Sequence, residues 1–261
     1  VIQDITSAQN QQFKWLKRMM QKKYRDSERV MLLEGARIVN HGVQLGHLPK
    51  AIFLRYGLDH ENVEAYLHLG CPVFVLAEAL FEQVSDTVHS QGILGVFSRD
   101  MECALSIMGP HVVILDQIQD PGNLGTIIRT CDALGLTEIY MTKGTTDPYS
   151  QKVLRATMGS IFNVKLHTHV SMDVLQGLKD KGFALVSTAL EDSISLSRLT
   201  AFAEQGAIAI CFGNEGNGVS QTVLAMSDYR VKIPMRGGAE SLNVAVAAAI
   251  ALYQIQAKYL E

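Results

Sequence analysis

The stretch I-P-M-R-G-G-A-E-S-L-N-V-A-V-A-A-A-I-A-L-Y, residues 233–253, decides how the rest of the chain is read. Ile233 ends a short apolar strand, Pro234 and the pair Gly237 and Gly238 make a loop, and Ser241, Leu242 and Asn243 begin an Ala/Val-rich helix. Paired glycines let a backbone lie close to a ligand, and the free N–H groups of a first helical turn favour an electron-rich partner. Ser and Asn are equally ordinary helix caps and Gly-Gly an ordinary turn. This loop alone therefore leaves a small-molecule site and a plain connection both open.

Working backwards, apolar strands are expected at 112–115, 138–141, 162–166, 183–188, 207–212 and 229–233, alternating with helices at 124–134, 151–158 and 172–179. Such alternation implies a mostly parallel sheet with helices on both faces, and in such sheets ligands bind beyond the carboxyl ends of the strands. Two more loops sit at those ends. D-Q-I-Q-D-P-G-N-L-G-T-I-I-R-T, residues 116–130, places Asn123 to cap a helix whose buried stripe is Leu124, Ile127, Ile128, Cys131 and Leu134. Arg129 falls off that stripe, where an arginine commonly faces solvent but is also suited to hold a phosphate. G-N-E-G-N-G, residues 213–218, is neither a dinucleotide fingerprint nor a P-loop. With a carboxylate at Glu215 it is a poor phosphate cradle; it can hold a cation or orient an arginine such as Arg129.

The first part of the chain reads as a smaller α/β domain, with strands at 30–33, 51–54, 73–76 and 92–97 and helices at 34–45 and 61–69. A boundary is expected at 99–110, which carries Arg99, Asp100, Glu102 and a Gly-Pro pair, so residues 1–98 and 111–261 form separate domains. Residues 7–24 look like one amphipathic helix: Phe13, Leu16, Met19 and Met20 share a face, and Lys14, Lys17, Arg18, Lys22 and Lys23 surround Trp15. That mixture suits RNA phosphates and bases, and a solvated surface helix looks the same.

Composition sets the outer limits. With 261 residues and 48% hydrophobic content the chain has the material for about two packed domains, which excludes disorder. The apolar run at 244–253 is about half of what a membrane span needs, and no signal region opens the chain, so a soluble cytoplasmic protein is expected. Cys71, Cys103, Cys131 and Cys211 are scattered without zinc-site spacing and read as reduced thiols, with no metal. The net charge of −3 conceals six cations and no acid between Ile5 and Arg25; removing them leaves −9 for the rest. The N-terminal segment is thus a basic element on an acidic protein.

The three loops, in this order and on this α/β pattern, resemble the motifs of the SpoU family of RNA ribose 2′-O-methyltransferases, within the trefoil-knotted methyltransferase superfamily. The matches are N-x-G-x-x-x-R at 123–129, F-G-N-E-G-N-G at 212–218 and I-P-M-x-G-x-x-x-S-L-N-V at 233–244. D-P-x-S-x-K-V-x-R-A-x-M-G-S at 147–160 and T-A-L at 188–190 are similar to the family pattern as well. L-L-E-G-A-R-I-V at 32–39 and Q-G-I-L-G-V at 91–96 resemble the family's ribosomal-protein-like RNA-binding domain.

The resemblance implies S-adenosylmethionine as methyl donor, a homodimer, and a C-terminal segment threaded into a knot. It places the cofactor on main-chain groups of Gly213, Ile233 and Leu242, with Thr188, Ala189 and Met235 nearby. Its catalytic positions fall on Asn123, Arg129, Glu215, Ser241 and Asn243. A guanidinium keeps its proton, so Arg129 is expected to hold the adjacent phosphate and stabilise oxyanion charge, with Glu215 orienting it. Asn123 would help position the ribose, and Ser241 and Asn243 would hold the geometry. Lys14, Lys17, Arg18, Lys22, Lys23, Arg129 and Arg155 are the expected RNA contacts. The nucleophile is the 2′-hydroxyl, so the partner is RNA and not DNA. Ribosomal RNA is preferred; tRNA, a non-catalytic RNA-binding protein on the same fold, and a nucleotide-dependent enzyme on an open sheet are the alternatives.

Overall fold

The structure is a computed structural model that describes residues 2–58, 64, 66–87, 89–100 and 111–259. By contacts the chain forms two units, Val1–Glu102 with Tyr149–Phe162, and Cys103–Pro148 with Asn163–Glu261.

The first unit is built on five strands, β1 (Ile2–Ile5), β2 (Val30–Glu34), β3 (Ala51–Arg55), β4 (Val73–Leu76) and β5 (Ile93–Ser98), in the order β1-β4-β3-β5-β2. β1–β4 and β4–β3 run parallel, β3–β5 and β5–β2 antiparallel. Phe13, Leu16 and Met19 of the first helix pack into a core with Phe53, Phe74, Phe81 and Val96. The single helix expected over 7–24 is two, Gln11–Met19 and Lys22–Glu28. The break has a cause: Arg25 is buried, and its Nη1 donates to the carbonyls of Met19 (3.0 Å) and Met20 (2.7 Å), ending the first helix there.

The helix Gln151–Thr157 and the 3₁₀ turn Ser160–Phe162 belong to this unit. Phe162 stacks on His47 and meets Phe97 edge-on, with centroids 5.2 and 5.3 Å apart. A Cβ on Gly42 would lie 2.3 Å from Phe162 Cζ, so that contact requires glycine. Sequence pattern places a strand at 162–166; Phe162 is instead drawn into the aromatic contact, and the strand starts later.

The second unit carries seven strands: β6 (Val112–Asp116), β7 (Glu138–Thr142), β8 (Lys165–Val170), β9 (Ala184–Thr188), β10 (Ile194–Ser195), β11 (Ile208–Gly213) and β12 (Tyr229–Lys232). Their order is β10-β12-β9-β11-β6-β7-β8, and every neighbouring pair is parallel. The α/β architecture with a mostly parallel sheet is therefore as expected. β6 and β11 are buried throughout, which explains why they read as continuous apolar runs.

β1, β10 and the short helices Glu78–Phe81, Leu199–Gln205 and Gln221–Met226 have no counterpart in the sequence reading. Residues 101–110 of the expected linker, Cys103 with them, lie outside the described residues, as does part of the expected 61–69 helix. No helix among the described residues is long and apolar enough to cross a membrane.

Candidate functional site

Four adjacent strands, β12, β9, β11 and β6, end side by side. Val231 pairs with Thr188, Cys211 with Ser187, and Gly213 with Asp116. Parallel neighbours lie about 4.8 Å apart. Thr188 closing β9, Gly213 closing β11 and Ile233 just past β12 therefore share one rim, although they are far apart in sequence.

Above that rim the loops are tied together by side chains. Glu215 accepts from the backbone N–H of Gln119 (3.1 Å) and of Asp120 (3.0 Å), and from Asn123 Nδ2 (3.1 Å). Asn243 Nδ2 in turn donates to Asn123 Oδ1 at 3.0 Å. One continuous hydrogen-bond chain, Glu215–Asn123–Asn243, thus joins the three motif loops. Asn243 caps the final helix, Val244–Gln256, by accepting from the N–H of Ala245 (2.9 Å) and Val246 (3.3 Å).

Two expected roles change. Asn123 does not cap the Pro121–Ala133 helix: Asp120 does, accepting from Asn123 N at 2.8 Å, with Pro121 in the first turn. The Asn123 side chain is thereby free to bridge the other two loops. Within one chain Glu215 makes no hydrogen bond to Arg129: its bonds go to the backbone of 119–120 and to Asn123. Partial burial raises the Glu215 pKa, but the hydrogen bonds from Asp120, Asn123 and Gln119 outweigh it and hold the carboxyl below its ordinary range. Glu215 is therefore an ionised structural acceptor and a weak base.

The 213–218 loop closes on itself. Asn214 and Gly218 exchange backbone hydrogen bonds of 2.9 and 2.8 Å, and Asn214 Oδ1 accepts from the N–H of Gly216 and Asn217, both at 3.0 Å. A Cβ on Gly213 would lie 2.1 Å from Gly218 C and Val219 N, so the backbone closure itself demands glycine there.

Arg129 is exposed and makes no hydrogen bond or ion pair among the described residues. It lines a hollow of about 370 Å³ with Thr126, Thr130, Ala249 and Tyr253, between the Pro121–Ala133 and Val244–Gln256 helices. None of Thr188, Gly213, Met235 and Leu242 lines that hollow. Ser241 is exposed and outside the hydrogen-bond chain. Thr188 Oγ1 donates to the Cys211 carbonyl (3.1 Å) and Ala189 N to that of Val231 (3.0 Å), so both fasten strand ends; Met235 and Leu242 are exposed apolar groups. No cluster of His, Cys, Asp and Glu that could hold a metal occurs among the described residues.

In the first unit, Lys14, Lys17, Arg18, Lys22 and Lys23 are all exposed. Several have partners in the chain: Lys17 bonds Gln83 Oε1 (3.0 Å), Lys22 pairs with Asp26 (3.0 Å), and Arg18 and Lys23 lie near the Tyr24 ring. Arg155 is ion-paired with Asp86 at 2.9 Å. Trp15 is half-buried, bonded to Glu28 (2.7 Å) and set against Phe53, so it serves the core and not a base-stacking surface.

Asp116, Asp120 and Asn214 are site-building residues that the sequence reading passed over. The signal was available for the first, an aspartate ending the wholly apolar run Val112–Leu115.

Fold and loops together define an α/β protein whose site stands at the carboxyl ends of a parallel sheet. The SpoU rRNA Methylase family profile matches residues 110–253, and an MRM3-like substrate binding domain profile matches residues 10–95. The chain belongs to the SpoU rRNA methylase family. It is 33% identical over 98% of its length to all of the Bacillus subtilis 23S rRNA (guanosine(2553)-2′-O)-methyltransferase RlmP. It is 32% identical, over 97% of this chain and 93% of the other, to the uncharacterized tRNA/rRNA methyltransferase slr1673 of Synechocystis. The AdoMet-bound rRNA methyltransferase from Sinorhizobium meliloti superposes with a TM-score of 0.85 at 29% identity, covering 100% of this chain and 99% of that one.

Proposed function

We propose that this chain methylates the 2′-hydroxyl of a ribose in ribosomal RNA, with S-adenosylmethionine as donor. The observation that carries the reading is the Glu215–Asn123–Asn243 chain, which joins three distant loops at the carboxyl ends of adjacent parallel strands. The relatives support the substrate, since they are named as rRNA 2′-O-methyltransferase and as AdoMet-bound rRNA methyltransferase.

The residues fit the donor. Leu190 and Met235, exposed just past the ends of neighbouring strands β9 and β12, offer apolar surface to an adenine, and main-chain groups around Gly213, Ile233 and Leu242 offer hydrogen bonds. When bound, the sulfonium supplies an electrophilic methyl group. The protein's part is alignment and charge. Asn123, fixed at both ends, presents a rigid loop to the ribose; Arg129, unpaired and exposed, holds an RNA phosphate and stabilises charge on the 2′-oxygen. Ser241 sits in the loop that Asn243 anchors and completes its geometry.

A second copy of the chain covers the final helix. Val246, Ile250 and Tyr253 expose 49%, 40% and 61% of their surface along one face, beside Arg129's hollow. Such an apolar stripe favours a homodimer, which also brings a second set of strand-end loops to Arg129. β12, which follows β11 in sequence, lies between β9 and β10 in the sheet, and this insertion supports a knotted C-terminal segment. Residues 1–98 are assigned to RNA binding through Lys14, Lys17, Arg18, Lys22 and Lys23, joined by Arg155 from the 149–162 segment that groups with them; the rest of 111–261 is assigned to methyl transfer, and the cytoplasm is where both act.

The test is calorimetry with S-adenosylhomocysteine alongside tritiated-methyl transfer to rRNA and to tRNA. Micromolar or tighter binding with label in rRNA is expected. Absence of binding overturns the reading, and label confined to tRNA moves the substrate.

A further inference from the structure

Asp116 is 1% exposed, and a carboxylate at such depth is costly unless its oxygens are used. Both are. Oδ1 accepts from Thr142 Oγ1 at 2.7 Å, and Oδ2 accepts from the backbone N–H of Ser220 at 2.7 Å. Thr142 ends β7, and Ser220 precedes the Gln221–Met226 helix, directly after the loop that carries Glu215. Asp116 itself ends β6 opposite Gly213, and the loop that follows it carries Asn123.

The neighbouring bonds run the same way. Gln117, in the left-handed region at φ 60°, donates its N–H to Thr142 Oγ1 (3.2 Å), and its carbonyl accepts from Asn214 Nδ2 (2.9 Å). The two loops are thus tied twice: at their tips by Glu215 with Gln119, Asp120 and Asn123, and at their roots by Asp116 with Ser220 and Asn214 with Gln117.

We propose that Asp116 is a positioning residue for methyl transfer: by accepting from Ser220 N–H and Thr142 Oγ1 at once, it sets the separation between the Asn123 loop and the Glu215 loop. It does not touch the reacting atoms and acts through Glu215. The proposal rests on the methyltransferase reading above.

Two variants remove the inner tie from opposite ends. Asp116→Asn keeps an acceptor for Thr142 but turns an N–H donor toward Ser220. Ser220→Pro deletes the N–H, at a residue whose φ of −61° already suits proline. Because misplacement by about 1 Å can cost ~10²-fold in rate, each is expected to lower kcat by roughly tenfold to a hundredfold. Their combination should be no worse than either alone. In a Glu215→Gln background, Asp116→Asn should cost little further kcat, whereas its effect on melting temperature should remain additive. The Ser220 amide proton, downfield in the wild type because it donates to a carboxylate, should move upfield in Asp116→Asn.

A kcat loss that multiplies with Glu215→Gln would overturn the positioning role, and so would wild-type kcat in a folded Asp116→Asn. The wild type is run in the same assay: if it transfers no methyl group, the methyltransferase reading fails, while an active wild type matched by Asp116→Asn sinks the assignment of Asp116 alone.

Discussion

Asn243 Nδ2 donates to Asn123 Oδ1 at 3.0 Å across 120 residues of sequence, and it does so while Asn243 Oδ1 caps the final helix and Asn123 Nδ2 is held by Glu215. Each amide has its oxygen and its nitrogen committed to different partners, so neither can flip without loss. Asn243→Asp keeps the cap and sets two acceptors face to face. The expected result is a melting temperature within a few degrees of wild type and a kcat reduced by about tenfold or more. Asn243→Ala loses the cap as well, at about 1 kcal/mol. Thermal denaturation and single-turnover methyl transfer on both variants check this.

Glu215 is held as a carboxylate by three donors, and its pKa is lowered in the folded chain. A depressed folded pKa means that its contribution is fully present above the unfolded carboxylate range and is lost as pH falls through the folded value. The urea midpoint of the wild type should therefore exceed that of Glu215→Gln by a constant margin from pH 8 to about pH 5, and the margin should shrink in more acid solution. A margin that grows on acidification contradicts the assignment.

Gly213→Ala puts a Cβ 2.1 Å from the backbone of Gly218 and Val219. No side chain can yield there, so the loop must open. Overpacking of this kind costs about 1–3 kcal/mol or more, and S-adenosylhomocysteine binding should fall with it. Differential scanning calorimetry with and without that ligand measures both.

Arg129 is exposed and unpaired among the described residues, so Arg129→Ala should change stability by less than about 0.5 kcal/mol. Methyl transfer should fall by at least about a hundredfold with cofactor affinity kept. Equal loss of activity and cofactor affinity would contradict a role confined to RNA.

Ile250→Asp places a charge in the centre of the exposed stripe of Val246, Ile250 and Tyr253. Sedimentation should show a dimer for the wild type and a monomer for the variant. A monomeric wild type of full activity refutes the proposed assembly.

The parallel sheet was legible because β6 and β11 are buried throughout and carry uninterrupted apolar runs, and the final helix because Asn243 marks its start. Gly213 was singled out by its place in a glycine-rich loop, although the structure gives it the closure of that loop as its task. Other features depend on contacts that no local pattern encodes. The break between the first two helices is set by Arg25 reaching back to two carbonyls, and the late start of β8 by Phe162 packing on Gly42 and His47. The choice of Asp120 over Asn123 as helix cap was ambiguous, since both residue types cap well; the third partner, Glu215, lies about ninety residues away and decides it.

The most direct test of ribose methylation is the position of the label. Total RNA from a strain lacking this protein is incubated with the protein and tritiated S-adenosylmethionine, then hydrolysed in alkali, which cleaves next to every free 2′-hydroxyl and spares methylated ones. The account predicts label in alkali-resistant dinucleotides from rRNA, lost in Arg129→Ala. Label recovered in mononucleotides, which places the methyl group on a base, would contradict it.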